Sequence, residues 1–134
     1  MTQSPPRILS ISSDIAVFDS RNRVLESAGF QIVPCYRGVG AIEKFTIESI
    51  DAVVLGDSVP TSLRLSLLKA FRSTKPNIPI MVVYPVGEVT EDVLLADAAN
   101  ASLDGPAELI RTLSALVRKR SQVKAVAKAA SNAG

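Results

Sequence analysis

Apolar positions along the chain alternate between short continuous runs, typical of buried strands, and three- or four-residue spacing, typical of amphipathic helices. Strand-like runs fall at 7–11, 30–35, 51–55, 78–84 and 101–103. Helical spacing fills the intervals: up to Ala28, over 38–48, around 63–71, over 88–98 and from Pro106 onward. The sequence therefore predicts five strands and five helices in strict alternation.

This alternation predicts an α/β fold with a parallel sheet covered on both faces, because a run such as 51–55 is apolar at nearly every position. Right-handed crossovers leave few topologies. We expect the doubly wound (βα)5, flavodoxin-like three-layer sandwich, with a five-stranded parallel sheet in the order 2-1-3-4-5. In such sheets the functional crevice lies at the carboxyl ends of the strands, here near 12–13, 56–57, 84–85 and 104–105.

Composition excludes several classes of enzyme. The 134 residues include no His and one Cys, Cys35, so a Ser-His-Asp triad, a Cys-His pair, a His-ligated zinc and an internal disulfide are all impossible. No nucleophile or acid–base pair has a visible partner, and we expect no enzymatic activity. The densest apolar run, 80–84, is far shorter than a membrane span, and the first residues do not resemble a signal peptide. We expect a cytoplasmic protein that does not engage membranes.

Charge is unevenly distributed although the net charge is only +2. Acidic residues outnumber basic ones by three up to Val117, whereas the remainder carries five basic residues and no acid. We predict an extended lead-in at 1–6, a domain at 7–118 and a basic, Ala-rich helix extension or disordered tail at 119–134. The tail lacks aromatic side chains that could stack on bases, which argues against nucleic-acid binding.

Several segments resemble, in order and spacing, the receiver domain of bacterial response regulators over about residues 7–118. They are Arg-Ile-Leu-Ser-Ile at the start, Ala-Gly-Phe before the second strand, Asp-Ala-Val-Val-Leu followed by Pro60, Ile-Pro-Ile-Met-Val-Val in the fourth strand, and Gly-Pro at 105–106. The resemblance implies a role in two-component phosphorelay signalling.

The same resemblance identifies where a phosphorylation site would lie. In the family, two acidic residues after the first strand and an aspartate after the third bind magnesium and accept the phosphoryl group. A Ser or Thr after the fourth strand and a lysine before the last helix contact that group. These positions are occupied here by Ser12, Ser13, Gly56, Tyr84 and Gly105. All five are replaced, so we expect no catalytic residue, no metal site, and neither magnesium nor another cofactor.

Asp57 is the one candidate for a displaced phosphoacceptor, because it directly follows Gly56. Neighbouring strand residues point to opposite faces, which would aim Asp57 away from the crevice, so we expect a solvated loop residue. Asp14 is interpreted as a carboxylate at a helix start. For Tyr84 two possibilities stay open: the ring fills the phosphoryl volume, or it caps the edge of the core.

We therefore predict a phosphorylation-independent interaction module that contacts a signalling protein, or a second copy as a homodimer, through about 88–117. In the family, the phosphorylation-linked switch needs a hydroxyl residue and an aromatic where this chain has Tyr84 and Ser102. One alternative is a small-ligand sensor that uses the crevice, with Ser12, Ser13 and Tyr84 as donors. Another is a nucleic-acid-associated regulator that acts through the basic tail.

Overall fold

The computed structural model describes residues 4–85 and 90–132, with side chains described up to residue 122. Within them, strands and helices alternate as the periodicity predicts. They are β1 (Arg7–Ser12), α1 (Ile15–Ser27), β2 (Gln31–Tyr36), α2 (Ala41–Ile47), β3 (Ala52–Leu55), α3 (Thr61–Thr74), β4 (Ile80–Tyr84), α4 (Glu91–Leu95), β5 (Ala98–Ala101) and α5 (Pro106–Asn132). A 3-10 turn, Ser102–Asp104, joins β5 to α5.

The strands form one parallel sheet in the order β2-β1-β3-β4-β5, which confirms the predicted fold class. The central strand β3 pairs with β1 on one side and β4 on the other, so Leu55 lies opposite both Ile11 and Val82. Because all strands run the same way, the carboxyl ends of β1, β3 and β4 meet at one edge of the sheet.

Each face of the sheet carries its own apolar core, since neighbouring strand residues point to opposite sides. Leu9, Ile11, Val53 and Leu55 pack with α2 and α3, whose Phe45 and Phe71 rings lie 4.6 Å apart. Ile8, Val54, Met81 and Val83 pack on the other face with Leu25 of α1 and with Leu109 and Leu113 of α5. This burial on both faces explains why the strands are apolar at nearly every position.

The segment that contains α4 and β5 differs from the prediction. The strand lies at Ala98–Ala101 instead of 101–103, and α4 has five residues instead of filling 88–98. The strand was missed from the sequence because its side chains are small. It is a strand because Ala99 pairs in parallel with Val82, and Asn100 with Val83. Leu103, which suggested a buried strand, is 81% exposed in the 3-10 turn. Residues 86–89, which include the predicted start of α4, lie outside the described residues.

Helix α5 continues past residue 118, where the domain boundary was predicted. Arg120 forms an ion pair with Asp51, which directly precedes β3, so one of the basic residues after Val117 contacts the body of the domain. Across the described residues, none of the helices is both long and apolar enough to cross a membrane.

Candidate functional site

Two serines, Ser12 and Ser13, lie at the carboxyl end of β1, where the resemblance indicated an acidic pair. Ser12 is fully buried, and its Oγ lies 2.9 Å from Oγ of Ser58 in the loop after β3. The Ser58 Oγ also accepts hydrogen bonds from the backbone N–H groups of Ser13 and Asp14, at 2.9 and 3.1 Å. Ser58 was missed from the sequence because no pattern marks a loop residue as the partner of a strand end. These bonds tie the end of β1 to the loop after β3.

Gly56 lies directly against the guanidinium group of Arg21. The Gly56 backbone N–H donates to the carbonyl of Ile11 at 2.9 Å, which fixes the glycine at the sheet edge. A Cβ atom added at Gly56 would lie 2.6 Å from Nη1 of Arg21 and 3.0 Å from the Ile11 carbonyl oxygen. The Arg21 side chain is only 10% exposed. The arginine of α1 therefore lies where the Cβ of any side chain at 56 would be.

Asp57 lies in the loop after β3 and is bound by the same arginine. Nη2 of Arg21 donates to Oδ1 of Asp57 at 3.3 Å, and the aspartate side chain is 27% exposed. Because β3 ends at Leu55, strand alternation does not determine the direction of residue 57. The carboxylate lies beside the guanidinium that borders Gly56.

Asp14 caps the amino terminus of α1. Its Oδ1 accepts hydrogen bonds from the backbone N–H groups of Ala16 and Val17, both at 3.1 Å. A capping carboxylate satisfies orphan donors at the helix start and interacts favourably with the helix dipole. Asp14 thus has the structural role expected from the sequence.

The other positions marked by the resemblance lie at the ends of β4 and β5. Tyr84 is the last residue of β4, is partly buried and pairs with Ala101. Ser102 is exposed in the 3-10 turn, so it does not lie on a strand. Gly105 has a φ of +87°, a conformation that strains residues with a Cβ, so a lysine there would be disfavoured by the backbone itself.

A second arginine, Arg64 of α3, is buried below the loop after β3. Its Nε donates to Oδ2 of Asp92 at 2.7 Å, and its Nη1 donates to the carbonyls of Val59 at 2.8 Å and Asp57 at 3.3 Å. Burial raises the pKa of the Asp92 carboxyl, but hydrogen bonds from Arg64 and Thr90 together with the Arg64 charge lower it more, and the net pKa is below its ordinary value.

Cys35 is fully buried in the core, and its thiol donates to the carbonyl of Val39 at 3.2 Å. Burial raises the pKa of this thiol, and the nearby charge of Lys44 opposes that shift only in part. Cys35 is therefore a packing residue. In the part of the chain that the structure describes, no group of three or more His, Cys, Asp and Glu side chains is placed to hold a metal ion.

A five-stranded parallel sheet in this order, with a crevice at its carboxyl edge, is shared by CheY-like receiver domains and other flavodoxin-like proteins. The chain is 34% identical over 121 residues to response regulator MprA of Mycobacterium sp. (strain KMS), covering 87% of this chain and 53% of the relative. It superimposes on a CheY-like receiver domain protein from Methanospirillum hungatei JF-1 with a TM-score of 0.79 and 20% identity, covering 89% and 98% of the two chains.

A third comparison involves response regulator TrrA from Thermotoga maritima, solved with Mg²⁺ and BeF, at a TM-score of 0.74 and 20% identity over 83% of this chain and 98% of that one. No family model matches the chain. The curated relatives are response regulators and the structural neighbours are CheY-like receiver domains, so the chain is similar to a response regulator receiver domain. The chain spans about half the length of the curated relatives it matches.

Proposed function

We propose that this receiver domain acts in two-component signalling as a phosphorylation-independent protein-interaction module, without enzymatic activity, in the cytoplasm. The observation that carries the proposal is the contact between Arg21 and Gly56. A side chain at 56 would meet Nη1 of Arg21 at 2.6 Å, and the guanidinium already has a carboxylate partner in Asp57. The tip of the Arg21 side chain thus lies where the first atom of an acceptor side chain at 56 would be.

The donor groups around this volume do not fit magnesium. Mg²⁺ prefers a hard, oxygen-rich site with at least one or two carboxylates. The crevice instead presents the hydroxyls of Ser12 and Ser58 and the guanidinium of Arg21, a cation. Of the neighbouring carboxylates, Asp14 caps α1 and Asp57 pairs with Arg21. These contacts support a site that binds no magnesium and accepts no phosphoryl group.

An NMR titration tests phosphorylation independence. Amide spectra are recorded while the protein is incubated with Mg²⁺ and acetyl phosphate, and separately with Mg²⁺ and beryllofluoride. TrrA, which has been solved with Mg²⁺ and BeF, is the positive control. We expect TrrA to respond and this chain to show no saturable shifts near Gly56. Saturable shifts confined to Ser12, Gly56 and their neighbours would overturn the proposal.

The interaction role is supported by exposed apolar side chains within 88–117. Leu94 is 74% exposed, Leu95 44% and Leu103 81%, and exposed apolar surface commonly marks contact sites. We propose that this region binds a signalling protein or a second copy of the chain. Residues 88–89 of the region lie outside the described residues.

Sedimentation analysis over a wide range of protein concentrations tests whether the chain binds a second copy of itself. We expect a concentration-dependent dimer that Leu94→Glu and Leu103→Glu weaken, because each change places a charge on the contact surface. Ile47→Glu is the matched control, since Ile47 is 82% exposed on α2, outside this region. A chain that stays monomeric throughout would remove homodimerisation and leave only a different signalling protein as the partner.

A further inference from the structure

A cavity of about 400 Å³ lies between α1 and α5, beside the carboxyl ends of β4 and β5. Its walls are mostly apolar and include Val17 and Val24 from α1, Val83 from β4 and Leu109 from α5. Its volume falls in the range of sites that bind small molecules. The cavity is distinct from the crevice at Ser12 and Ser58, because neither of these serines is part of its lining.

A buried amide group without a full set of partners lines this cavity. Asn100 of β5 is only 8% exposed, and its Oδ1 accepts a hydrogen bond from the Thr112 hydroxyl at 3.2 Å. Its Nδ2 is buried and has no hydrogen-bond partner. An unpaired buried donor is unfavourable, and its presence in a cavity wall points to a partner that the protein alone does not supply.

Arg21 also lines this cavity and carries a second unpaired donor, Nη1, which lies toward Gly56. One guanidinium nitrogen binds Asp57, whereas Nη1 is buried without a partner in a side chain that is nine-tenths buried. Both unpaired groups are donors and one of them is cationic, so the complementary group is an acceptor with negative charge. The cavity also borders Pro106, the first residue of α5, where the positive end of the helix dipole favours an anion.

We propose that this cavity binds a small amphipathic carboxylate. Its apolar body would lie against Val17, Val83 and Leu109, and its carboxylate would pair with the Arg21 charge and accept a hydrogen bond from Asn100. This inference goes beyond the proposed function and does not depend on it. Because Arg21 also borders Gly56, the same side chain connects the ligand cavity to the crevice at the sheet edge.

Amide NMR titrations with three probes of equal chain length test the proposal. Octanoate carries the predicted carboxylate, whereas octan-1-ol is neutral and octylamine is cationic. We expect octanoate to give saturable shifts at Asn100, Ala101 and Val17, with binding at least tenfold tighter than that of octan-1-ol. Octylamine is expected to give no saturable shifts there. No magnesium or phosphoryl donor is present, so the result is independent of the phosphorylation test.

Variants locate the binding groups. Arg21→Met keeps an extended apolar side chain and removes the charge, and Asn100→Ala removes the amide; each is expected to weaken octanoate binding tenfold or more. Arg23→Met, an exposed change on the same helix, is expected to leave it unchanged. Ser20→Phe would obstruct the exposed rim of the cavity and weaken octanoate and octan-1-ol alike, even if Arg21→Met fails to fold.

Three results would overturn the proposal. The first is no saturable octanoate shift at residues that line the cavity. The second is an equal response to octanoate and octylamine, since an anion-selective site must discriminate between them. The third is octanoate binding that Arg21→Met, Asn100→Ala and Ser20→Phe all leave unchanged.

Discussion

Arg64 and Asp92 form an ion pair with an Nε–Oδ2 distance of 2.7 Å, and neither side chain is more than 2% exposed. The pair joins α3 to α4, a helix of only five residues. Through the carbonyls of Asp57 and Val59, Arg64 also holds the loop after β3. One buried guanidinium thus joins the loop after β3 to α4.

Breaking this pair should strongly destabilise the fold. Arg64→Met leaves the Asp92 carboxylate buried without its cation, and we expect the free energy of unfolding to fall by about 3–5 kcal/mol. Urea denaturation measures the change. Arg111→Met is the control, because the Arg111 side chain is 76% exposed beside Glu108. Its loss should lower the free energy of unfolding by about 1 kcal/mol or less. Similar losses for the two variants would contradict the assignment.

The double variant Arg64→Met/Asp92→Leu provides an internal check on that reasoning. Most of the loss in a single variant comes from an uncompensated buried charge, and replacing both partners removes it. We expect the double variant to be more stable than Arg64→Met alone. A double variant whose loss equals the sum of the two single losses would show that the side chains are not coupled.

Stability should also depend on pH through Asp92. Its pKa is lower in the folded state than in the unfolded chain, where a carboxyl titrates near about 3.9. The stabilisation is therefore fully present above the unfolded pKa and is lost as the pH falls through the folded pKa. Urea midpoints measured from neutral to acidic pH should decline in the native chain, and Asp92→Asn should remove part of the decline. An identical pH dependence in both proteins would contradict this expectation.

Gly56 and Arg21 should be energetically coupled. Gly56→Ala places a Cβ against the guanidinium and the Ile11 carbonyl, and overpacking of this kind typically costs about 1–3 kcal/mol. Arg21→Met removes the contact with the guanidinium. Gly56→Ala should therefore lower the free energy of unfolding by less in the Arg21→Met background. Thermal or urea unfolding of the four proteins in the cycle measures the difference. Arg23→Met is the control background, in which the loss of unfolding free energy caused by Gly56→Ala should be unchanged.

Cys35 should react slowly with alkylating reagents. The thiol is fully buried and burial raises its pKa, so little thiolate is accessible near neutral pH. Iodoacetamide labelling, followed by mass spectrometry, should be slow in the native protein and fast in denaturant. Rapid labelling of the native chain would show that Cys35 is more than a packing residue.

Periodicity predicted most of the fold because the strands are apolar on both faces and the helices on one. It failed at β5, where Ala98, Ala99 and Ala101 lack the branched side chains that mark strands. Pairing with β4 makes this segment a strand, and no local pattern encodes that pairing.

The candidate site was only partly predictable. The positions at the strand ends were found, but both arginines that organise them were missed. A signal was present: Arg21 follows Phe18 by three residues and precedes Leu25 by four, and Arg64 precedes Leu67 and Leu68 by three and four. Helical spacing places both on buried faces. Their carboxylate partners come from distant segments, which the sequence alone does not bring together.

The contact between Arg21 and Gly56 also limits how the chain can change by mutation. An aspartate introduced at 56 alone would require the Arg21 guanidinium to move, and an arginine lost from 21 alone would leave Asp57 without its cation. Each single step disturbs a contact of Arg21, so a change toward an acidic crevice would involve positions 21 and 56 together. Positions 21 and 56 are expected to vary as a pair among the sequences that share this fold.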